Sequence, residues 1–217
     1  MKTAAALLAA ASVLTLAGAA SAQTAAPEPV GKGTLIVTDR MTRVLPQADD
    51  AIVTAAGADS GLKVDVSDDW MPTLGFTYFV ADHWAVEAIL GATQHEVRAK
   101  GGATDVAVHE TWVLPPIVTL QYRPTPNATI SPYVGAGVSY MAFFEGKDKN
   151  GFEVDLDNGF GMALQAGADW NLSGPWTLNL DAKKVWFDTD AKINNGALKS
   201  SVSLDPWVVS VGVGRKF

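Results

Sequence analysis

The stretch Ser131–Phe144, SPYVGAGVSYMAFF, decides how the chain folds. Val134, Ala136, Val138 and Tyr140 fall on one side of it; Gly135, Gly137 and Ser139 fall on the other. A period of two marks a β-strand whose faces meet different surroundings. One face here is continuously apolar and ends in aromatics, while the other is small and polar. In a soluble sandwich the apolar face would meet a shared core. In a membrane barrel it meets lipid, and small or polar residues line the inside.

Working outward, the same alternation recurs. Downstream, Phe160–Asn171 sets Phe160, Met162, Leu164, Ala166, Ala168 and Trp170 against Gly161, Ala163, Gln165, Gly167 and Asp169. Trp176–Asp188 sets Trp176, Leu178 and Leu180 against Thr177, Asn179, Asp181 and Lys183. Asp205–Phe217 sets Trp207, Val209, Val211 and Val213 against Ser210, Gly212 and Gly214. Upstream, Glu110–Tyr122 carries Leu114, Pro116, Val118, Leu120 and Tyr122 on its apolar side. Trp84–Arg98 places Trp84, Val86, Ala88, Leu90 and Ala92 opposite Glu87, Gly91, Thr93 and His95. Trp70–Phe79 alternates Leu74, Phe76 and Tyr78 with Thr73, Gly75 and Thr77. Thr34–Leu45 completes the set with a weaker pattern.

Eight strands predict an all-β chain, an antiparallel transmembrane barrel with both termini on one side. Brief turns near Asp82, Thr125 and Gly174 alternate with longer polar connections near Asp59, Gly102, Asn150 and Asn195. This is the asymmetry of periplasmic turns and extracellular loops. Pro46–Asp69, Ala99–His109, Glu145–Asn158 and Thr189–Leu204 read as those loops. Tyr78, Trp84, Tyr122, Tyr133, Trp170, Trp176 and Phe217 collect beside the short turns, where an aromatic girdle is needed.

Composition supports this reading. The net charge of −7 argues against a nucleic-acid partner. Cysteine is absent, which excludes disulfides and thiolate metal sites. Lys2, the apolar run Ala4–Leu16 and the Ala20-Ser21-Ala22 cleavage motif read as a secretory signal peptide spanning residues 1–22. Gln23–Gly33, with Pro27 and Pro29, reads as a flexible lead to a barrel over residues 34–217.

Several stretches, in this order and spacing, resemble the outer membrane protein W (OmpW) family. They are LGFTYFVADHWAVE (Leu74–Glu87), LPPIVTLQY (Leu114–Tyr122), PYVGAGVSYMAFF (Pro132–Phe144) and GMALQAGADWNL (Gly161–Leu172). FDTDA (Phe187–Ala191), LDPWV (Leu204–Val208) and the terminal Phe217 join them. The resemblance implies an integral protein of the bacterial outer membrane with a narrow, rather hydrophobic lumen that passes small hydrophobic molecules. It also implies lipopolysaccharide as a neighbour and insertion machinery that reads the last strand. Arg215 departs from the pattern, because barrels of this kind usually carry an apolar or aromatic residue two before the terminal Phe.

The inward faces gather Glu87, Gln121, Gln165, Asp169, Asp181 and Lys183. Charges inside a barrel this narrow must pair or hydrogen-bond. They form either a polar constriction that selects what passes or a plug that holds the barrel shut. His95 and His109 flank one loop, but no third ligand accompanies them, so they read as exposed loop residues. The acidic residues of Pro46–Asp69 and Glu145–Asp157 either hold divalent cations near lipopolysaccharide or are simply solvated. No cofactor motif appears. Neither His83 nor Ser60, Ser200 and Ser201 has an evident catalytic partner, so the chain reads as no enzyme. Pro115-Pro116 removes two donors from a strand in a closed wall. Either a bulge absorbs the loss or the wall opens sideways there, giving an apolar solute a lateral exit. The competing functional reading is a plugged barrel that works through its outer loops.

Overall fold

The computed structural model describes residues 26–217. The signal peptide and the first residues of the lead lie outside them. In chain order the strands are β1 (Leu35–Leu45), β2 (Ala51–Thr54), β3 (Asp59–Val66), β4 (Asp69–Ala81) and β5 (Trp84–Leu90). Then come β6 (Thr93–Gly101), β7 (Thr104–Leu114), β8 (Ile117–Tyr122), β9 (Ile130–Asp148) and β10 (Val154–Leu156). β11 (Gly159–Asn171), β12 (Trp176–Trp186), β13 (Asp188–Ile193), β14 (Leu198–Ser203) and β15 (Trp207–Lys216) complete the chain.

Eight of them close a ring, β1–β4–β5–β8–β9–β11–β12–β15 and back to β1, antiparallel throughout. The chain is therefore an eight-stranded antiparallel β-barrel. Closure leaves no unpaired edge, which a membrane-spanning sheet requires. The inner residues of the opening stretch are small because neighbours crowd them. A Cβ on Gly137 would collide with the carbonyl of Val118 on β8.

Parity along each strand sets the outside. Val138, Leu164, Leu180 and Val211 all stand at least half exposed on the outer face. Tyr78, Trp84, Tyr122, Trp170 and Phe217 form an exposed girdle at the short-turn end, with Trp176 partly covered beside them. A second girdle of Trp70, Phe160, Trp186 and Trp207 rings the other end of the band. Tyr133 does not belong to the girdle. It shares parity with Gly135 and Gly137, so it points inward and is 2% exposed.

Three of the four expected loops are largely strand, and the fourth is strand at both ends. Beyond the upper girdle a second sheet runs β10–β13–β14–β2–β3–β6–β7 to the top of β9. Its outer face carries the charges that made these stretches look like loops. Its inner face buries Ile52, Val64, Ala99, Val108, Ala191, Ile193 and Val202 as one cluster.

The lead is a strap across the short-turn end. Pro27 bridges Gly174 in parallel, and Glu28 N–H donates to the Gly174 carbonyl at 2.8 Å. Val30 N–H donates to Asn127 Oδ1 at 2.6 Å, and Asn127 Nδ2 returns a bond to the Val30 carbonyl at 3.0 Å. Val30 is buried with Ile36, Phe79 and Ala85, so the strap carries an apolar stopper into the barrel base.

Candidate functional site: a sealed base, an apolar chamber and a weakened wall

The six lumen residues come together. They sit in one buried network with six that the sequence analysis did not single out as lumen residues: Arg40, Thr77, Thr119, Arg123, Tyr133 and Asn179. Lys183, 0% exposed, bonds Glu87 Oε1 at 2.9 Å and also Asp181. Arg40 Nη2 donates to Glu87 Oε2 at 2.8 Å and its Nε to Asn179 Oδ1 at 2.8 Å. Gln165 Nε2 donates to Glu87 Oε1 at 2.9 Å, and Gln165 Oε1 accepts from Thr119 at 2.6 Å. Below, Arg123 pairs with Asp169 and donates twice to Gln121 Oε1. Tyr133 O–H donates to Asp181 Oδ2 at 2.8 Å while the Arg123 guanidinium stacks 4.3 Å over its ring. Three cations, Arg40, Arg123 and Lys183, thus face three carboxylates, Glu87, Asp169 and Asp181. Each is bonded across the lumen by side chains from several strands. The arrangement is a seal, with charge neutralised inside and Val30 beneath it.

Above the seal the inner face turns apolar. Val44, Met71, Ile89, Val113, Ile117, Met141, Val185, Phe187 and Val208 form a first tier. The buried cluster of the second sheet forms the next. Between them lies a narrow apolar chamber with a cavity volume of about 70 Å³. Its few polar wall atoms are already bonded. Thr189 donates to the Asp157 carbonyl at 2.8 Å, and His95 Nδ1 lies 2.7 Å from the Ser67 carbonyl. A carbonyl only accepts, so Nδ1 carries the proton, and neutral Nε2 accepts from the Thr93 hydroxyl at 2.9 Å. Burial holds the His95 pKa below the ordinary histidine value, against the opposing pull of Asp68 and Asp69.

Neither histidine is an exposed loop residue; both are 5% exposed. They do not share a ligand position. His109 Nδ1 meets Asp148 Oδ1 at 2.9 Å instead. It turns inward because Val108 is an extra residue between the pairs Val97↔His109 and Arg98↔Ala107. The acidic residues of the outer connections are largely spent on local pairs, such as Asp65 with Lys100 at 2.7 Å and Asp68 with Arg43.

At Pro115-Pro116 the wall does not bulge. On the β9 side Leu114 pairs with Ala142 and Ile117 with Ser139, without a slip between them. The Pro116 carbonyl still accepts from Tyr140 N–H at 3.1 Å. On the other side, Thr93↔Val113 and Ile89↔Ile117 also keep one register, so Leu90 and Gly91 lie against the two prolines and Ala92 against Leu114. Their second neighbour is β4, where Pro72 again lacks a donor. Between Leu74↔Leu90 and Val66↔Val97 the ladder keeps the bond from Ser67 N–H to the Glu96 carbonyl at 3.0 Å and is otherwise replaced. Gln94 N–H donates to Asp69 Oδ2 at 2.9 Å and Glu96 N–H to Ser67 Oγ at 3.0 Å. Among the described residues, no backbone hydrogen bond ties Gly91 or Ala92 to either side. Side chains fill that place instead. A Cβ on Gly91 would meet Thr73 Cγ2 at 2.5 Å and Met71 Sδ at 3.0 Å. Pro115 lines the chamber, so the weak part of the wall borders the apolar space.

The sequence matches the OmpW family over residues 31–217. The chain belongs to the OmpW family. It is a protein of the bacterial outer membrane. Over 161 residues it is 38% identical to an uncharacterised outer-membrane protein of Sinorhizobium fredii, covering 72% of this chain and 70% of that one. It is 31% identical to outer membrane protein W of Vibrio cholerae, covering 86% and 89%. It is also 31% identical to the dibenzothiophene metabolism operon protein PahQ of Pseudomonas aeruginosa, covering 82% and 85%. Among solved structures, the outer membrane protein OprG of Pseudomonas aeruginosa superposes with a TM-score of 0.81 at 31% identity. That match covers 87% of this chain and 98% of OprG.

The missed plug residues had a readable signal. Asn179 was on the predicted inner face, and Tyr133 has inner parity. Arg123 continues the parity of Gln121 past the strand end into a stretch read as a turn.

Proposed function

We propose that this OmpW-family barrel admits small apolar solutes into its upper chamber and releases them sideways into the membrane at Gly91-Ala92, between Pro72 and Pro115-Pro116. One observation carries the reading. An apolar chamber ends on a hydrogen-bonded, ion-paired polar seal, and the wall beside that floor lacks backbone ties at Gly91 and Ala92. An apolar solute gains by entering the chamber and would lose by stripping the ion pairs beneath it. A relative named for a dibenzothiophene operon is consistent with an apolar solute. The experiment is uptake of an apolar fluorophore into vesicles carrying the purified barrel. Pro115→Val with Pro116→Thr restores both donors and should slow uptake while stability holds or rises. Ala191→Trp should slow it by filling the chamber. Unchanged uptake in both well-folded variants removes the proposal.

The seal itself favours a second reading, a closed barrel that acts through its outer sheet. Absence of solute uptake by the native protein at any concentration would select it. We also propose that lipopolysaccharide contacts the outer sheet and that insertion machinery reads β15 together with the exposed Phe217 that follows it. No catalytic role is proposed. His83 Nδ1 is engaged by the Arg123 carbonyl, while Ser60 and Ser200 donate to the carbonyls of Ile52 and Ala51.

A further inference from the structure

The lipid face of the barrel carries a carboxyl where none is expected. Asp39 lies on β1 between Ile36 and Thr42, with Thr38 and Arg40 pointing inward on either side of it. Parity therefore turns Asp39 outward, and it is partly exposed. It is paired with Leu74 on β4 and Val213 on β15. Its own strand places Val37 below it and Met41 above it on the same face.

Depth follows from the register. Along β4, Leu74 stands midway between Tyr78 of the lower girdle and Trp70 of the upper one. At ~3.3 Å per residue and a tilt of about 40°, Asp39 lies about 10 Å from either interface. A short carboxyl side chain cannot snorkel that far. Ionisation in hydrocarbon is costly, and no hydrogen bond or ion pair from another side chain reaches Asp39 among the described residues. Of the two cations on this face, Arg43 pairs with Asp68 at the upper end, and Arg215 stands opposite Val37. Its guanidinium lies 5.7 Å and 5.0 Å over the rings of Trp176 and Phe217, at the interface. A low-dielectric surrounding favours the protonated carboxyl, whose donor no other side chain satisfies.

Few things can satisfy it. Lipid tails offer no hydrogen bond, and headgroups are at the wrong depth. A second copy of the chain, inserted in the same orientation, places its own Asp39 at the same depth by construction. A two-fold axis along the membrane normal brings two carboxyls together, and each donates one O–H···O bond to the other. The contact is self-complementary, as an isologous interface requires. At this height the surrounding face is apolar, made by Val37, Met41, Leu74, Phe76, Val211 and Val213. We propose that the β15–β1–β4 face is a homodimer interface within the membrane, held at its centre by a pair of Asp39 carboxyls.

The chain has no cysteine, so Met41→Cys gives one reporter beside the contact. The protein is folded into phospholipid vesicles and treated with a short bismaleimide across a range of lipid-to-protein ratios. Native Asp39 should give a cross-linked dimer. Asp39→Leu should shift the equilibrium about tenfold towards monomer, the scale of one or two hydrogen bonds in lipid. The same variant should fold at least as stably, because it removes a polar group from the lipid face. Asp39→Asn should keep the dimer, since two primary amides pair in the same way. Arg215→Gln should leave it intact. A native protein that stays monomeric at every ratio would overturn the proposal, as would equal cross-linking by Asp39→Leu. Loss of the dimer in Arg215→Gln would overturn it too. Cross-linking in intact cells to a different protein, with none to itself, would also do so.

Discussion

At the scale of single residues, the lumen is decided by pairing. Lys183 faces Glu87 and Asp181 with no solvent to share them. Lys183→Met leaves two buried carboxylates short of a cation. It should destabilise the barrel by about 3–5 kcal/mol, because the partners' desolvation is no longer offset. Urea titration of the protein folded in vesicles measures this, and a change below about 1 kcal/mol would mean that the base is open to water. His95 makes a prediction of opposite character. Burial lowers its folded pKa, so the neutral ring contributes stability that is full above the unfolded value of about 6.5. That contribution is lost as pH falls from there towards the lowered folded value. The ring ties β6 to Ser67 at the replaced part of the ladder. Amide exchange at Glu96 and Val97 should therefore quicken between pH 7 and pH 5 in the native protein. In His95→Gln it should show far less pH dependence once the intrinsic exchange rate is removed.

At the scale of the strand, alternation carried most of what could be read. Leu180 on β12 stands 63% exposed at mid-height, opposite Ala168 and Val211. Leu180→Arg should cost roughly 2–4 kcal/mol in lipid, whereas Gln165→Arg on the inner face acts by crowding the network around Glu87. Equal costs in vesicle refolding would mean that the faces are exchanged. The same alternation puts Glu87, Gln121, Gln165, Asp169, Asp181 and Lys183 on the inner wall from sequence alone. It worked because lipid and lumen impose opposite demands on successive residues. It read poorly in β1, where Asp39 points to lipid and Arg43 stands on the same face, so polarity no longer reports side. It failed for β2, β3, β10, β13 and β14. Outside the membrane the outer face meets water, and charged residues there mask inner apolar positions such as Val64, Ile193 and Val202. The strap over Pro27–Gly33 was not legible as structure because its partners, Asn127 and Gly174, are about a hundred residues or more away in sequence.

At the scale of the whole molecule, two ends of one tube have been given opposite tasks. The short-turn end is shut by ion pairs and by the strap, whose Val30 stopper is held by Asn127 and whose Glu28 carbonyl accepts from Lys216 Nζ at 2.6 Å. The other end extends the wall into a second sheet around apolar space. Such an asymmetry is useful only in one orientation, with the sheet outside the cell and the sealed base towards the periplasm. Outer membrane barrels place long connections outside and short turns within. Both ends offer residues that tolerate a reporter. Asn150 sits at positive φ in the tip that follows β9, and Gly174 sits in the tight turn between β11 and β12. Cysteine at Asn150 should react with an impermeant maleimide on intact cells. Cysteine at Lys32 on the strap, exposed beside Asp82, should react only after the outer membrane is permeabilised. Gly174→Cys is the less favourable reporter there, because Gly174 is buried beneath the strap, whose Glu28 N–H donates to its carbonyl. Labelling at Lys32 on intact cells, with none at Asn150, would invert the barrel. The chamber would then open to the periplasm, and a lateral release of solutes taken from outside would have no entrance.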